Sequence, residues 1–225
     1  MKYFIRTTGV RKLDDSYKQI KYTKLININD QNPTVSFINN LHGILRYLDV
    51  SNEKGAILLE DDLELCDNFD NEINKAVKLY SDKIINFFTN PFSGMDTYES
   101  SIFTYNQCTY YPREILRELL DVMSELYYNH YKDLYTNYEM LVHEGLCKLK
   151  QTHMVYRPFL VQHKDLNSLM GHGQRKKRTI YYKKYLDLLG INLAEARFQK
   201  NIDKLQVLLN NDIERWTKED KNERR

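Results

Sequence analysis

The sequence predicts an α/β layered fold: a mixed, mostly parallel sheet flanked by helices, with a helical extension at the C-terminal end. Three observations carry that expectation. Short apolar runs of strand length, such as Gly55-Ala56-Ile57-Leu58-Leu59, alternate with segments whose apolar residues recur every three or four positions. That alternation is the pattern of strands joined by crossover helices. The chain has 225 residues, 42% hydrophobic and 28% charged, which suits one large soluble domain or a domain with a small appendage. Only 8 glycines and 4 prolines occur, leaving no linker built from them and no clean domain boundary. No repeat of solenoid period is present.

Taken in order, residues 2–6 read as a first strand, followed by the polar loop Thr7-Thr8-Gly9-Val10-Arg11. A second strand is expected over 22–28. Val35, Phe37, Ile38, Leu41, Ile44, Leu45 and Leu48 share one face of a helix over 34–48. The strand 56–59 comes next, then a helix over 68–80 with Phe69, Ile73, Ala76, Val77 and Tyr80 on one side. Residues 83–88 form a strand that opens into a long polar loop over 89–101, and 102–111 hold a further strand. Pro112 suits the first position of a helix. A helix is expected over 136–150 and an extended segment over 154–161. Beyond His163 lie a basic loop with two glycines, a helix over 179–189 and a charged amphipathic helix over 193–216. The last residues, 218–225, are expected to fray. The organisation is therefore a main domain over 1–178 and a helical extension over 179–225 that docks on it, dimerises or binds a partner; its apolar stripe favours docking.

Bulk properties exclude several classes. Lys and Arg total 33 against 31 for Asp and Glu, so a formal charge of +2 demands no polyanionic partner. Cys66, Cys108 and Cys147 are odd in number and far apart, fitting neither a disulfide framework nor a zinc ribbon and pointing to a reducing compartment. Met1 to Arg6 has no apolar signal region, and no run approaches the roughly 18 apolar residues of a membrane span. The expected location is cytoplasmic.

One stretch asks for an explanation. The apolar run 55–59 leads straight into Glu60, Asp61 and Asp62, and apolar residues resume around Glu64, expected to face solvent. Adjacent carboxylates repel, and each is costly to desolvate. A solvated turn is one explanation. A hard divalent cation is another, since Mg²⁺ or Mn²⁺ takes carboxylate oxygens and shares itself with phosphate, and open α/β sheets place ligands at the C-terminal ends of their strands. About a hundred residues on comes Arg157-Pro158-Phe159-Leu160-Val161-Gln162-His163, followed by Ser168.

Together these residues resemble the GT-A class of nucleotide-sugar glycosyltransferases, a Rossmann-like fold. The likeness is to the small lipopolysaccharide-type and phage-encoded members, with their Leu-Glu-Asp-Asp strand end and downstream Pro-x-Leu-Val-Gln-His segment. The opening FIRTTGVRKLDDSY is similar to the first strand and loop of the phage-encoded members. The resemblance spans roughly residues 2–170. It implies Mn²⁺ or Mg²⁺ held by Asp62 and His163, with Glu60 at the nucleotide ribose or behind the metal and Asp61 beside them. Alone, His163 would read as a satisfied histidine at a strand end; paired with the acidic cluster it reads as the metal's second arm. The implied donor is a nucleotide-diphosphate sugar, UDP-sugar favoured, and the implied reaction is hexosyl transfer to an acceptor hydroxyl, with inversion the expected stereochemistry.

An inverting transferase needs a carboxylate to accept the acceptor's proton. Glu139 occupies the family's place for it, although Thr136 to Glu139 also reads as a capping box. Arg6, Thr7 and Thr8 would line the nucleotide site and Arg11 would face the diphosphate, unless they form an ordinary polar loop. Gln107 would hold a sugar hydroxyl. Arg175 and Lys176, in the run Gly171 to Arg178, would belong to a lid on the diphosphate, contact nucleic acid, or simply be solvated. Two further functions stay open: a phage-type transferase that glycosylates modified bases in DNA, and an inactive nucleotide-sugar binding module. The acceptor is thus a saccharide or modified DNA.

Overall fold

The structure, a computed structural model, describes residues 1–26, 32–88, 96–131, 138–164 and 179–222. Its strands are β1 (Lys2–Thr7), β2 (Tyr22–Ile26), β3 (Gly55–Glu60), β4 (Leu63–Leu65), β5 (Ile84–Asn86), β6 (Tyr98–Ser100), β7 (Cys108–Pro112), β8 (His153–Val155) and β9 (Val161–His163). Its helices are α1 (Pro33–Ser51), α2 (Phe69–Leu79), α3 (Arg113–Leu126), α4 (Tyr138–Lys148), α5 (Lys183–Leu189) and α6 (Gln199–Asn222). Among the described residues one sheet has seven strands in the order β2-β1-β3-β7-β5-β8-β6, and β4 and β9 form a separate ribbon. Strand β1 is parallel to β2 and β3, and β5 to β8, whereas β7 and β6 run antiparallel to their neighbours. This is the expected mostly parallel, mixed α/β sheet with helices on both faces, a Rossmann-like arrangement.

Strand periodicity explains the two cores. Successive side chains of β1 point to opposite faces. Phe4, with Ala56 and Leu58 of β3, packs against Phe37, Leu41, Ile44 and Leu48 of α1 and against α3 and α4. Tyr3 and Ile5, with Ile57 and Leu59, pack on the other side with Phe69 and Ile73 of α2, Tyr185 and Leu186 of α5, and Leu205 and Leu209 of α6. The C-terminal helices therefore share a core with the sheet, and Trp216 is 1% exposed. Helix α1 starts where the side chain of Asn32 accepts a hydrogen bond from Thr34 N and Pro33 takes the first turn.

Several boundaries move. Pro112 closes β7 and caps α3 instead of opening it, which its extended backbone (φ −63°, ψ 140°) permits. The extended segment 154–161 becomes two short strands in different sheets. Helix α5 begins at Lys183, and the last helix runs over Gln199–Asn222, beyond the expected end. Strands β4 and β6, three residues each, are too short for a periodic signal.

Glu64 corrects an expectation outright. It is 3% exposed, with Lys184 Nζ at 2.5 Å and Arg215 at 3.1 Å. Helices α5 and α6 cover the face of β4 that would otherwise meet solvent. Burial pushes the Glu64 carboxyl up despite these two cations.

Candidate metal centre

Parallel pairing aligns Arg6 of β1 with Glu60 of β3, so Arg6, Thr7 and the acidic turn emerge at one edge of the sheet. Ligands of open parallel sheets bind at that edge. Asp61 and Asp62 make the turn from β3 into β4, and β4 pairs antiparallel with β9, setting Leu63 opposite His163. The ribbon thereby returns His163 to the turn across a hundred residues of sequence. One ligand atom from each of Glu60, Asp62 and His163 lies within 4.8 Å of the others. His163 Nε2 stands 3.4 Å from Asp62 Oδ2.

The three acids have different surroundings. Glu60 Oε1 accepts a hydrogen bond of 2.7 Å from the Tyr138 hydroxyl and lies 3.8 Å from Arg6 Nη1. Arg6 in turn lies over the Tyr138 ring, 4.3 Å from its centroid, and Tyr138 stacks on Phe37 at 4.6 Å. The Tyr17 hydroxyl donates to the Glu60 carbonyl. Asp61 Oδ2 accepts from Thr7 Oγ1 at 2.6 Å, and Arg11 Nη1 reaches Asp61 Oδ1 at 3.3 Å and Asp62 Oδ2 at 2.7 Å.

Neighbouring acids titrate in opposite directions. Burial, with Asp62 adding repulsion, raises Asp61 above the ordinary carboxylate value. Burial pushes Asp62 the same way, but the charge and hydrogen bond of His163, then Arg11, outweigh it and hold Asp62 well below that value.

A divalent cation fits this set on two counts. Two carboxylates and an imidazole form a donor set that suits Mn²⁺. Asp62 Oδ1 is buried and accepts no hydrogen bond among the described residues, a costly state for a carboxylate oxygen unless a cation or water meets it.

The remaining expected residues divide between the site's edge, its surroundings and the part of the chain outside the described residues. The Thr8 hydroxyl is buried beside the turn's edge and makes no hydrogen bond among the described residues. Gln107 is 1% exposed; its carbonyl accepts from Glu60 N at 2.9 Å, while its side-chain oxygen takes no hydrogen bond among the described residues. Glu139 Oε1 accepts from Asn106 N at 3.2 Å. Glu139 and Glu60 are thus linked through two consecutive backbone positions, although Glu139 does not belong to the three-residue cluster. Arg175, Lys176 and Ser168 lie outside the described residues, as does Thr136, the first member of the capping box.

Tyr138, Tyr17 and Asn106 are contacts that sequence reasoning missed. Eighteen tyrosines in the chain hide the two that matter. Asn106 is 1% exposed and accepts a hydrogen bond of 2.6 Å from the Tyr111 hydroxyl, and its only sequence signal is its place beside Gln107.

No protein-family model matches the sequence, and no curated protein matches it either. Among solved structures, the chain is similar to A197 from STIV, with a TM-score of 0.36 and 13% identity over 52% of this chain and 67% of that one. A likeness of that size carries no functional argument. Among the described residues no helix is long and apolar enough to cross a membrane.

Proposed function

We propose that this protein is a divalent-metal-dependent glycosyltransferase of the GT-A kind, moving a sugar from a nucleotide-diphosphate donor to an acceptor hydroxyl. One observation carries the reading: Glu60, Asp62 and His163 converge within 4.8 Å at the ligand-binding edge of a mostly parallel sheet, with Asp62 Oδ1 otherwise unsatisfied.

In this reading Asp62 and His163 hold Mn²⁺ or Mg²⁺, and Glu60 completes the set or turns to the ribose. The metal supplies neutralisation of the departing diphosphate's charge. The chain's own part is to prearrange the donors. Tyr138 and Arg6 fix Glu60, and the β4–β9 ribbon fixes His163 opposite Leu63. Arg6, Thr7 and Thr8 line the nucleotide side; the Thr8 hydroxyl and the Gln107 amide oxygen are buried there and make no hydrogen bond among the described residues. Glu139, whose Oε1 accepts from Asn106 N beside the Gln107 carbonyl that Glu60 N bonds, takes the acceptor's proton. UDP-sugars are the favoured donors and a saccharide the favoured acceptor.

A panel of nucleotide sugars incubated with Mn²⁺ tests this, because slow donor hydrolysis needs no knowledge of the acceptor. Hydrolysis of at least one donor, abolished by chelation and by Asp62→Asn, is expected. Hydrolysis that survives both treatments would sink the metal assignment. Salt-sensitive affinity for duplex DNA would move the acceptor from saccharide to modified base.

A further inference from the structure

The contacts of Arg11 give the proposed metal site a second occupant, an assignment that rests on the metal reading itself. Three carboxylates, Glu60, Asp61 and Asp62, meet in one turn, and both aspartates are buried. Arg6 faces Glu60, whereas Arg11 places a single nitrogen, Nη1, on both aspartates. The Arg11 side chain is 14% exposed. Its Asp61 contact is 3.3 Å, longer than the two-pronged fork of a permanent Arg–carboxylate pair, and Asp62 Oδ1 is left without a hydrogen bond. Arg11 sits on the loop that leaves β1 at the mouth of the site. That loop follows Gly9, whose φ is +79°, and its neighbour Val10 is 72% exposed.

We propose that Arg11 is an exchangeable counter-ion: its guanidinium holds Asp62, the carboxylate that a divalent cation would take, and it leaves Asp62 when the cation binds. The charges favour such an exchange. With the His163 imidazole neutral, as a metal-ligating imidazole is, two guanidiniums facing three carboxylates leave the turn one negative charge in excess. Replacing one guanidinium by a dication neutralises it. The displaced guanidinium remains at the mouth of the site, where an incoming phosphate meets it. Arg11 therefore stabilises the cation-free turn and competes with the cation.

The competition is read with Mn²⁺ alone, titrated into the full chain and followed by the paramagnetic resonance of the free ion. Arg11→Gln should bind Mn²⁺ about tenfold more tightly than wild type, the worth of one charge-assisted hydrogen bond. Arg11→Met serves if the glutamine variant does not fold, judged by circular dichroism. Lys164→Gln controls for general charge, since Lys164 follows His163 in sequence and its Nζ pairs with Asp14 at 2.9 Å while its backbone N–H, unchanged by the substitution, bonds the Asp62 carbonyl. Equal tightening in the Lys164 and Arg11 variants, or unchanged or weaker binding in the Arg11 variants, overturns the proposal while leaving the metal site standing. Absence of Mn²⁺ binding in wild type and Arg11 variants alike overturns the metal reading and this proposal with it.

Discussion

His153 gives the sharpest quantitative test of the sheet that carries the site. It lies in β8, paired with Ser100 of β6, and is 1% exposed, with its ring 5.0 Å from that of Phe103 in an edge-on contact. Burial pushes its imidazole down from 6.5 to about 4, with the Ser100 backbone opposing the shift and His143 adding to it. The unfolded chain therefore binds the proton that the folded chain refuses, and stability must fall as the pH drops from the ordinary histidine value toward the depressed one. Linkage puts the loss at about 2 kcal/mol by pH 5 and about 3 kcal/mol by pH 4, relative to neutral pH. His153→Leu keeps an apolar fill and removes the titration. Urea unfolding of both proteins at pH 7, 5.5 and 4.5 measures the difference in slope. Wild type should lose stability faster than the leucine variant over that window. Parallel curves would mean that His153 is charged in the folded protein or exposed to water, and the packing of β8 against Phe103 would be wrong.

Particular contacts set the other expected outcomes. Gly55→Ala should destabilise by about 1–3 kcal/mol, because a Cβ there would meet the Tyr110 hydroxyl at 2.5 Å and ring carbons at 2.6 Å; chemical denaturation reads it directly. Trp216→Ala should cost about 3–5 kcal/mol, since this side chain is 1% exposed although it belongs to the last helix. A free, removable extension would instead tolerate the change. Tyr138→Phe removes the 2.7 Å donor to Glu60 and should weaken Mn²⁺ binding by about tenfold, with far less effect on melting temperature than Trp216→Ala.

Much of the fold is legible in the sequence because it rests on periodicity. The apolar run of β3, the three-and-four spacing of α1 and the acidic strand end all survive into the structure; the nearness of His163 to the acidic turn is implied by the family resemblance alone, and no periodicity carries it. The ribbon that joins them does not show in sequence. Each of its strands has three residues, shorter than any window in which alternation can be measured, and its pairing bridges a hundred residues. Glu64 fails for a related reason. Alternation identifies two faces of β4 but not what covers them, and the cover comes from Lys184 and Arg215, more than a hundred residues away. Hydroxyl donors such as Tyr17 and Tyr138 carry no spacing signal of their own. Arg11 gives a polar-loop signal only, and its seat on the aspartates is a tertiary fact.

Asp61 and Asp62 are adjacent and similarly buried, yet the geometry gives them separate tasks. Asp61 turns toward β1, where Thr7 donates to one oxygen and Arg11 to the other, so both its oxygens are engaged by the chain. Asp62 turns toward the ribbon, shares Oδ2 between His163 and Arg11, and keeps Oδ1 for something else. Burial dominates the first and raises it; cationic neighbours dominate the second and lower it. In the proposed site, the group held ionised beside an imidazole, with a lone oxygen to spare, serves as the ligand. A group already saturated by Thr7 and Arg11 is an anchor. Asp62→Asn should therefore lower Mn²⁺ affinity at least about a hundredfold, as expected when a carboxylate loses its charge at a hard cation. Asp61→Asn should leave that affinity unchanged or slightly raised, because it also loosens Arg11, and its cost should fall on stability through the Thr7 bond. Equal losses of Mn²⁺ binding in the two variants would refute the division and make the acidic turn a diffuse field of charge instead of a site.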